Sequence, residues 1–341
     1  MISAIAILAM STLTAEHTVY VGTRNKEGIY RFEFDPKTGA MRDLKLAAKT
    51  ADPTFLAIHP TKPLLYSVVA QPEGKISAFA VEADGNLRLL NQVGSKGAGP
   101  AHVQIDRTGQ WVSASNYGSG SFAVYRIEAD GKLSEATDSI QHATGERAPH
   151  AHFSIFSPDN KTIYVNDLGL DQVKRYAFDN TTGKIKEQPP LQTPKGAGPR
   201  HLVLGKKRIY VLNELASSVS VFENDKLLET VSALPAGFIG KSSAAEIVTD
   251  KNEKFIYSSN RGADTIAIFK TGKTLTKIAD QKVGRIPRGF VISPDGKFML
   301  VGSQDDNTIQ VYSINSNTGL LKATGKPLEA PFPICLRFAR K

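Results

Sequence analysis

The sequence predicts an all-β fold, a seven-bladed β-propeller with four antiparallel strands in each blade. Two series of short segments recur at intervals of 43 to 51 residues along the 341-residue chain. The composition, with 28 Gly and 18 Pro, is typical of a protein with many turns and few long helices. Repeats of this length indicate an array of equivalent supersecondary units.

The first series consists of short apolar segments, most of them with a tyrosine in second place. Its members are VYVGT (19–23), LYSVV (65–69), VSASN (112–116), IYVND (163–167), IYVLN (209–213), IYSSN (256–260) and MLVGS (299–303). The second series follows each member a few residues later and reads IYRF, ISAF, FAVY, VKRY, VSVF, IAIF and IQVY. Seven copies of both landmarks predict seven blades.

Each unit contains four predicted strands in a fixed order. An apolar strand such as HLVLG comes first, and a turn such as SPDGK leads to the strand of the first series. The alternating strand of the second series follows, and after a second turn such as EADG comes a weaker fourth strand such as KLSEAT. Alternation with a period of two between Asp/Asn/Gly clusters favours strands over helices. A solenoid would have open ends that need caps, and none is visible, whereas a propeller removes exposed edges by radial closure.

The two ends of the chain complete the predicted ring. No further unit follows the C-terminal segment PFPICLRFARK, so we expect it to supply the inner strand of the blade that HTVYV begins. Residues 16–341 are then one domain with no linker. Residues 1–15, MISAIAILAMSTLTA, contain an apolar segment of about nine residues, which is the length of a signal-peptide core and too short to span a bilayer. No Lys or Arg precedes this apolar segment. We expect export to the periplasm or medium if this segment is a signal peptide, and a cytoplasmic location otherwise.

Charge and cysteine content narrow the classes of partner. The formal net charge of +9 is compatible with nucleic acid, an anionic surface or an acidic small molecule. No run of five basic residues occurs, which argues against nucleic acid. Cys335 is the one cysteine, so an internal disulfide and a cysteine-rich zinc site are excluded. The sequence leaves the oligomeric state open, and a monomer is compatible with it.

Ionisable residues lie in two kinds of loop. One kind leads into the inner strand of each unit, and the other joins the second strand to the third. KGAGPRH (195–201) repeats KGAGPAH (96–102), but Arg200 replaces Ala101. In a propeller both kinds of loop meet at one mouth of the channel. The candidate residues gathered there are Arg200, Arg261, Arg288, His102, His150, His152, His201, Glu214, Glu246, Asn116 and Tyr117. Because arginine presents a planar fork to carboxylate or phosphate, this rim predicts a small anionic ligand.

Several of these residues also have a structural interpretation. Asn116 could close a turn with its side chain. His102 and His201 could be core histidines, and Glu214 could form a salt bridge with Arg261. His150 and His152 lie on one side of a strand as zinc ligands could, but the arginines would repel a divalent cation. We therefore predict no metal and no other cofactor. There is neither a nucleophile-elbow serine nor a glycine-rich phosphate loop before a helix.

Across residues 17–341 the chain resembles the lactonase family of seven-bladed propellers, which includes 6-phosphogluconolactonases and carboxy-muconate lactonizing enzymes. The resemblance lies in an ordered set of segments: VYVGT, GPAHV, ASNYGSGSFAVY, APHAH, VNDLGLDQVKRY, GPRHL, VLNELASSVSVF, SSNRGADTIAIF and PRGFVISPDGKFMLVGSQDDNTIQVY. PRGF at 287–290 stands where PRHF is frequent in the family. The resemblance implies that His152, Arg200, Glu214 and Arg261 are the catalytic residues.

The resulting expectation is hydrolysis of a sugar lactone, with 6-phosphogluconolactone as the first candidate substrate. Glu214 or His152 would act as general base or acid, and Arg200 would stabilise the oxyanion. Arg261 and Arg288 would hold the phosphate or carboxylate of a small anionic lactone or sugar acid. The competing class is a propeller that binds an anion or a protein without chemistry, because fold does not imply function. A cycloisomerase, or a lactonase for unphosphorylated lactones, is a third possibility.

Overall fold

The computed structural model describes residues 16–144 and 146–340. The expected signal peptide, residues 1–15, lies outside the described residues. The described chain forms seven four-stranded antiparallel sheets and one short 3₁₀ turn (Gln304–Asp306). Among these residues, no helix has the length and apolarity needed to cross a membrane.

The 28 strands follow the predicted order, four to a blade. Blades 1 and 2 contain β1 (His17–Thr23), β2 (Gly28–Phe34), β3 (Met41–Lys49), β4 (Leu56–Ile58), β5 (Leu64–Val69), β6 (Lys75–Val81) and β7 (Leu87–Gly94). Blades 3 and 4 contain β8 (Pro100–Ile105), β9 (Trp111–Asn116), β10 (Ser121–Ile127), β11 (Leu133–Gln141), β12 (Ala151–Phe156), β13 (Thr162–Asp167), β14 (Gln172–Phe178) and β15 (Ile185–Gln192). Blades 5 and 6 contain β16 (Pro199–Leu204), β17 (Ile209–Asn213), β18 (Ser218–Glu223), β19 (Lys226–Ser232), β20 (Ser243–Thr249), β21 (Phe255–Arg261), β22 (Thr265–Lys270) and β23 (Thr276–Lys282). Blade 7 contains β24 (Pro287–Ile292), β25 (Phe298–Ser303), β26 (Thr308–Ile314) and β27 (Leu321–Glu329), and β28 (Pro333–Phe338) completes blade 1.

The ring closes as the sequence predicts. The C-terminal strand β28 pairs antiparallel with β1, so blade 1 has the strand order β28-β1-β2-β3. The innermost strands of blades 1 to 7 are β28, β4, β8, β12, β16, β20 and β24. Each of them contacts the innermost strands of both neighbouring blades. The seven-bladed propeller with its ends joined in one blade is therefore confirmed.

Three of the recurring tyrosines of the first sequence series link their blade to the next. Tyr20, Tyr66 and Tyr257 are fully buried on the second strands of their blades. Each hydroxyl donates a hydrogen bond of 2.8 to 3.0 Å to a glycine carbonyl in the outer turn of the following blade, namely Gly85, Gly131 and Gly319. A buried tyrosine hydroxyl needs such an acceptor, which explains why the aromatic residue recurs with the blade period.

A local irregularity at the start of the inner strands positions the site. In six blades the register between the inner strand and its partner shifts by one residue at the channel mouth. The shifts lie between Pro100 and His102, Ala151 and Phe153, Pro199 and His201, and Pro287 and Gly289 in four of these blades. A β-bulge of this kind re-aims a side chain. The inserted residue of each of these four blades lines the mouth.

Candidate active site

A pocket of about 360 Å³ opens at this mouth of the channel. Four arginines and two carboxylates are among its lining residues. The charged and aromatic members of the lining are Arg24, Asp52, Tyr117, His152, Arg200, Glu214, Arg261 and Arg288. Cations therefore outnumber carboxylates, which suits an anionic ligand.

The bulges explain why the two KGAGP copies differ. Ala101, His152, Arg200 and Arg288 are the inserted residues of blades 3, 4, 5 and 7, and all four line the pocket. These four residues occupy equivalent positions, so each of the four blades places one side chain at the pocket. Arginine at position 200 brings a cation to the mouth, whereas alanine at position 101 leaves space.

Arg200 lies at the centre of the polar network. Its Nη1 lies 2.6 Å from Glu214 Oε2 and 2.6 Å from His152 Nε2, and its Nε donates to the carbonyl of Ala245 at 2.8 Å. The side chain is only 5% exposed. These three partners come from blades 4, 5 and 6, so one guanidinium joins three blades and its orientation is fixed.

Glu214 holds two arginines at once. Its second oxygen, Oε1, lies 2.8 Å from Arg261 Nη2, and Arg261 also donates to the carbonyl of Ala244 at 3.0 Å. Burial alone would raise the pKa of Glu214, but Arg200 and Arg261 outweigh it and bring the pKa to about 2. Glu214 is therefore ionised at any working pH, and both of its oxygens are engaged.

His152 is a neutral imidazole in this site. Burial, followed by the nearby Arg200, lowers the pKa of His152 well below its usual range. Because arginine can only donate, His152 Nε2 is the acceptor of the Arg200 bond, and the ring proton is on Nδ1. His152 Nδ1 is buried and has no hydrogen-bond partner among the described residues.

Arg288 completes the cationic side of the pocket. Its Nε is buried without a hydrogen-bond partner in the described part of the chain. Burial, together with Arg200, Arg261 and Arg24, lowers the pKa of Arg288 to about 9, so the group stays charged at neutral pH. A desolvated cation without a fixed hydrogen-bond acceptor at Nε is a position at which a ligand anion would be stabilised.

Three predicted ligand contacts, His102, His201 and Glu246, lie one layer below the pocket. Each follows the bulge of its blade and is almost fully buried. The His102 ring packs between Phe55 and Phe153 at centroid distances of 4.2 and 4.1 Å. This layer forms the floor of the pocket and is not part of its lining, so direct contact of these three residues with a substrate stays a prediction.

The remaining predicted residues lie around Tyr117. Tyr117 lines the pocket, and its ring stacks on His150 with centroids 4.5 Å apart. His150 is held behind that ring through its Nδ1, 2.9 Å from the Tyr117 carbonyl. Asn116 is fully buried and donates to the Ser95 carbonyl at 2.8 Å, so it closes the loop and is displaced from the predicted substrate contacts.

Sequence reasoning missed Arg24, Asp52 and Thr54, which also line the pocket. Arg24 follows β1 just as Glu214 follows β17, so aligning all seven turns between second and third strands would have revealed it. The backbone carbonyls of Ala244 and Ala245, which orient the arginines, carry no sequence signal. Within the described ranges, no group of three or more His, Cys, Asp or Glu side chains could hold a metal ion.

The fold and the comparisons with known proteins show that this propeller is a carboxylic-ester hydrolase that acts on lactones. The family model described as "Lactonase, 7-bladed beta-propeller" matches residues 18–338, and the chain belongs to this family.

Similar proteins support this assignment over nearly the whole length. A 6-phosphogluconolactonase of Bacillus subtilis is 31% identical, covering 94% of this chain and 97% of the relative. A 6-phosphogluconolactonase of Formosa agariphila is 32% identical over 86% of this chain and 90% of its own. The structure of the periplasmic gluconolactonase of Pseudomonas aeruginosa superposes with a TM-score of 0.89 at 27% identity, covering 96% of this chain and 99% of that one.

Proposed function

We propose that the protein hydrolyses a phosphorylated sugar lactone, 6-phosphogluconolactone, to the open-chain acid at the arginine-lined pocket of the channel mouth. The observation that carries this proposal is the excess of cations, in particular Arg288, whose buried Nε has no partner within the described residues. Arg288 and Arg24 would bind the phosphate. The names of the Bacillus and Formosa relatives support the same substrate.

The reaction is a water addition followed by ring opening. Water attacks the lactone carbonyl carbon, and one of its protons passes to His152. The negative charge that develops on the carbonyl oxygen is stabilised by the guanidinium of Arg200, which is already oriented by three partners. The bond between the carbonyl carbon and the ring oxygen then breaks, and His152 returns the proton to the leaving alkoxide. The new carboxylic acid loses its proton to solvent.

His152 is a better general base than Glu214 on physical grounds. A carboxylate with a pKa of about 2 that is held by two arginines is a weak proton acceptor. The neutral imidazole of His152 has a lone pair on Nε2 at the centre of the site. In this assignment Glu214 and the Ala245 carbonyl keep Arg200 in place, and Arg261 helps to hold Glu214. The substrate oxygen replaces His152 Nε2 as an acceptor of the Arg200 Nη1–H, which releases the lone pair of His152.

The test compares two lactones and two arginine variants. Acid release is followed with a pH indicator for 6-phosphogluconolactone and for gluconolactone, corrected for spontaneous hydrolysis. We expect Arg288→Gln to lower kcat/KM for the phosphorylated lactone by at least about tenfold, the value of one charged hydrogen bond, with little change for gluconolactone. Arg285→Gln is the matched control, because Arg285 pairs with Asp306 at the surface at 2.6 Å.

The alternative substrate is an unphosphorylated lactone, which the name of the Pseudomonas relative favours. Equal loss of both activities in Arg288→Gln, or a wild-type preference for gluconolactone, would support this alternative and reject the phosphate assignment. If wild-type protein accelerated neither lactone, the hydrolysis proposal itself would fail, and a binding propeller would be the better account.

A further inference from the structure

A buried hydrogen-bonded pair, His201 and Glu246, lies below the pocket. His201 Nδ1 lies 2.7 Å from Glu246 Oε1, and both residues are less than 9% exposed. Because a carboxylate can only accept a hydrogen bond, His201 Nδ1 carries the proton and donates a hydrogen bond to Glu246. The neutral ring of His201 then has its lone pair on Nε2. This nitrogen is buried and has no partner among residues 16–144 and 146–340.

The free nitrogen of His201 is complementary to that of His152. His152 has a buried, unpartnered Nδ1–H, and His201 has a buried, unpartnered Nε2 lone pair. The two ring centroids are 5.3 Å apart. Buried polar atoms without a partner are rare and require an explanation, and a bridging water can join a donor and an acceptor that do not touch directly.

We propose that Glu246 and His201 are positioning residues that orient His152 and increase its basicity through a hydrogen-bonded series from Glu246 to His201 to His152 Nδ1–H. This inference rests on the proposed function, in which His152 is the general base. The series leaves Nε2 of His152 as the reacting nitrogen, which is the atom that faces Arg200. A carboxylate that orients an imidazole in this way fixes its tautomer and stabilises the imidazolium formed during the reaction.

The cations around the series all oppose a positive charge on His152. Arg200 and Arg288 face His152 from blades 5 and 7. Arg337 faces both His201 and Glu246 from β28, and His102 is neutral because burial lowers its pKa well below the usual range. Of the two carboxylates, Glu246 lies below the pocket, whereas Glu214 is already bound by two arginines.

The substitution Glu246→Gln tests the role of the charge. Glutamine keeps the size and the acceptor oxygen for His201 but removes the negative charge. We expect the titration of His152 to move about one unit toward lower pH, kcat to fall by about tenfold, and KM to change little. His201→Gln, which interrupts the series in the middle, should change the activity in the same direction.

The matched control is Asp106→Asn, at the opposite end of the channel. Asp106 is 1% exposed and accepts hydrogen bonds from the Trp111 amide at 2.9 Å and the Asn160 side chain at 2.8 Å. Asp106→Asn should lower the free energy of unfolding, as the loss of a buried carboxylate does. It should leave the pH dependence of the activity unchanged. A purely structural role of Glu246 would make the two variants behave alike.

A readout that does not depend on turnover separates this inference from the proposed function. In protein labelled with ¹⁵N-histidine, NMR reports the tautomer and titration of His152, assigned with His152→Gln. A proton on Nδ1 in wild type and a titration shifted by Glu246→Gln but not by Asp106→Asn would support the series even if neither lactone were hydrolysed. An unshifted His152 titration in Glu246→Gln would overturn it, whatever the activity.

Discussion

Arg200 on β16 and Glu214, just after the adjacent strand of blade 5, meet at 2.6 Å at the channel mouth. Arg200 is the inserted residue of β16, and Glu214 is the first residue after β17. Because Glu214 also holds Arg261 at 2.8 Å, one carboxylate fixes two cations. Breaking a buried pair by removing one partner is costly, since the other charge remains without compensation.

Replacement of Arg200 should remove most of the activity. Arg200→Ala lacks the donor for the oxyanion, and we expect kcat/KM to fall by about a hundredfold or more. Arg200→Lys keeps the charge but cannot contact His152, Glu214 and the Ala245 carbonyl together, so it should rescue little. The indicator assay measures both variants, and circular dichroism verifies their fold. Full activity in folded Arg200→Ala would remove this residue from the mechanism.

The pH profile should report a histidine with a lowered pKa. Because burial and Arg200 lower the pKa of His152, the base form persists below pH 6.5, and kcat/KM should stay level between pH 8 and about pH 6.5. The activity should decline only in more acidic solution, where His152 becomes protonated. His152→Gln should lose about a hundredfold in kcat and also lose this decline. An inflection at or above pH 6.5 in the wild-type enzyme would contradict the assignment.

Glu214 should contribute stability that depends on pH. Its pKa is lowered from 4.5 to about 2, so its contribution is complete above about pH 4.5 and is lost as the pH falls toward 2. The shift corresponds to about 3 kcal/mol. Glu214→Gln should therefore unfold at a lower temperature than wild type at pH 7, and this difference should shrink between pH 4.5 and 2. Thermal unfolding across this range measures it, and a constant difference would argue against the lowered pKa.

Gly289 should be required by the packing of the inner strands. A Cβ at this position would lie 2.0 Å from the Ile334 carbonyl oxygen of β28, which is backbone and cannot swing away. We expect Gly289→Ala to lower the free energy of unfolding by about 1 to 3 kcal/mol, as overpacking does. At Gly94 an added Cβ meets nothing within 4 Å, so Gly94→Ala is the control. Equal denaturant midpoints for the two variants would refute the prediction.

The sequence predicted the blades well because local residue patterns repeat with the blade period. Tyr20, Tyr66 and Tyr257 recur because each must donate to the next blade, and strand alternation is a local property. Even the closure of the ring by PFPICLRF followed from the incomplete first unit. These features need no knowledge of distant contacts.

The depth of each site residue could not be predicted in the same way. His150 and His152 were aligned together after Pro149, but Ala151 is the residue that corresponds to the prolines of other blades, and His152 corresponds to Arg200. One bulge decides whether a side chain reaches the pocket or lies in its floor. His102, His201 and Glu246 were expected at the rim, and the structure places them below the pocket lining. A bulge leaves no pattern in hydrophobicity, so sequence alone does not reveal it.

The bulged positions also have an evolutionary consequence. Four inner strands deliver their inserted side chains to the same small volume while the hydrogen-bonded ladder beneath stays intact, so exchange of a single codon alters the chemistry of the mouth without rebuilding a loop. Ala101 is the smallest side chain at such a pocket-lining position. A saturation library at codon 101, selected on a panel of lactones, would explore new substrate shapes while every arginine stays in its place.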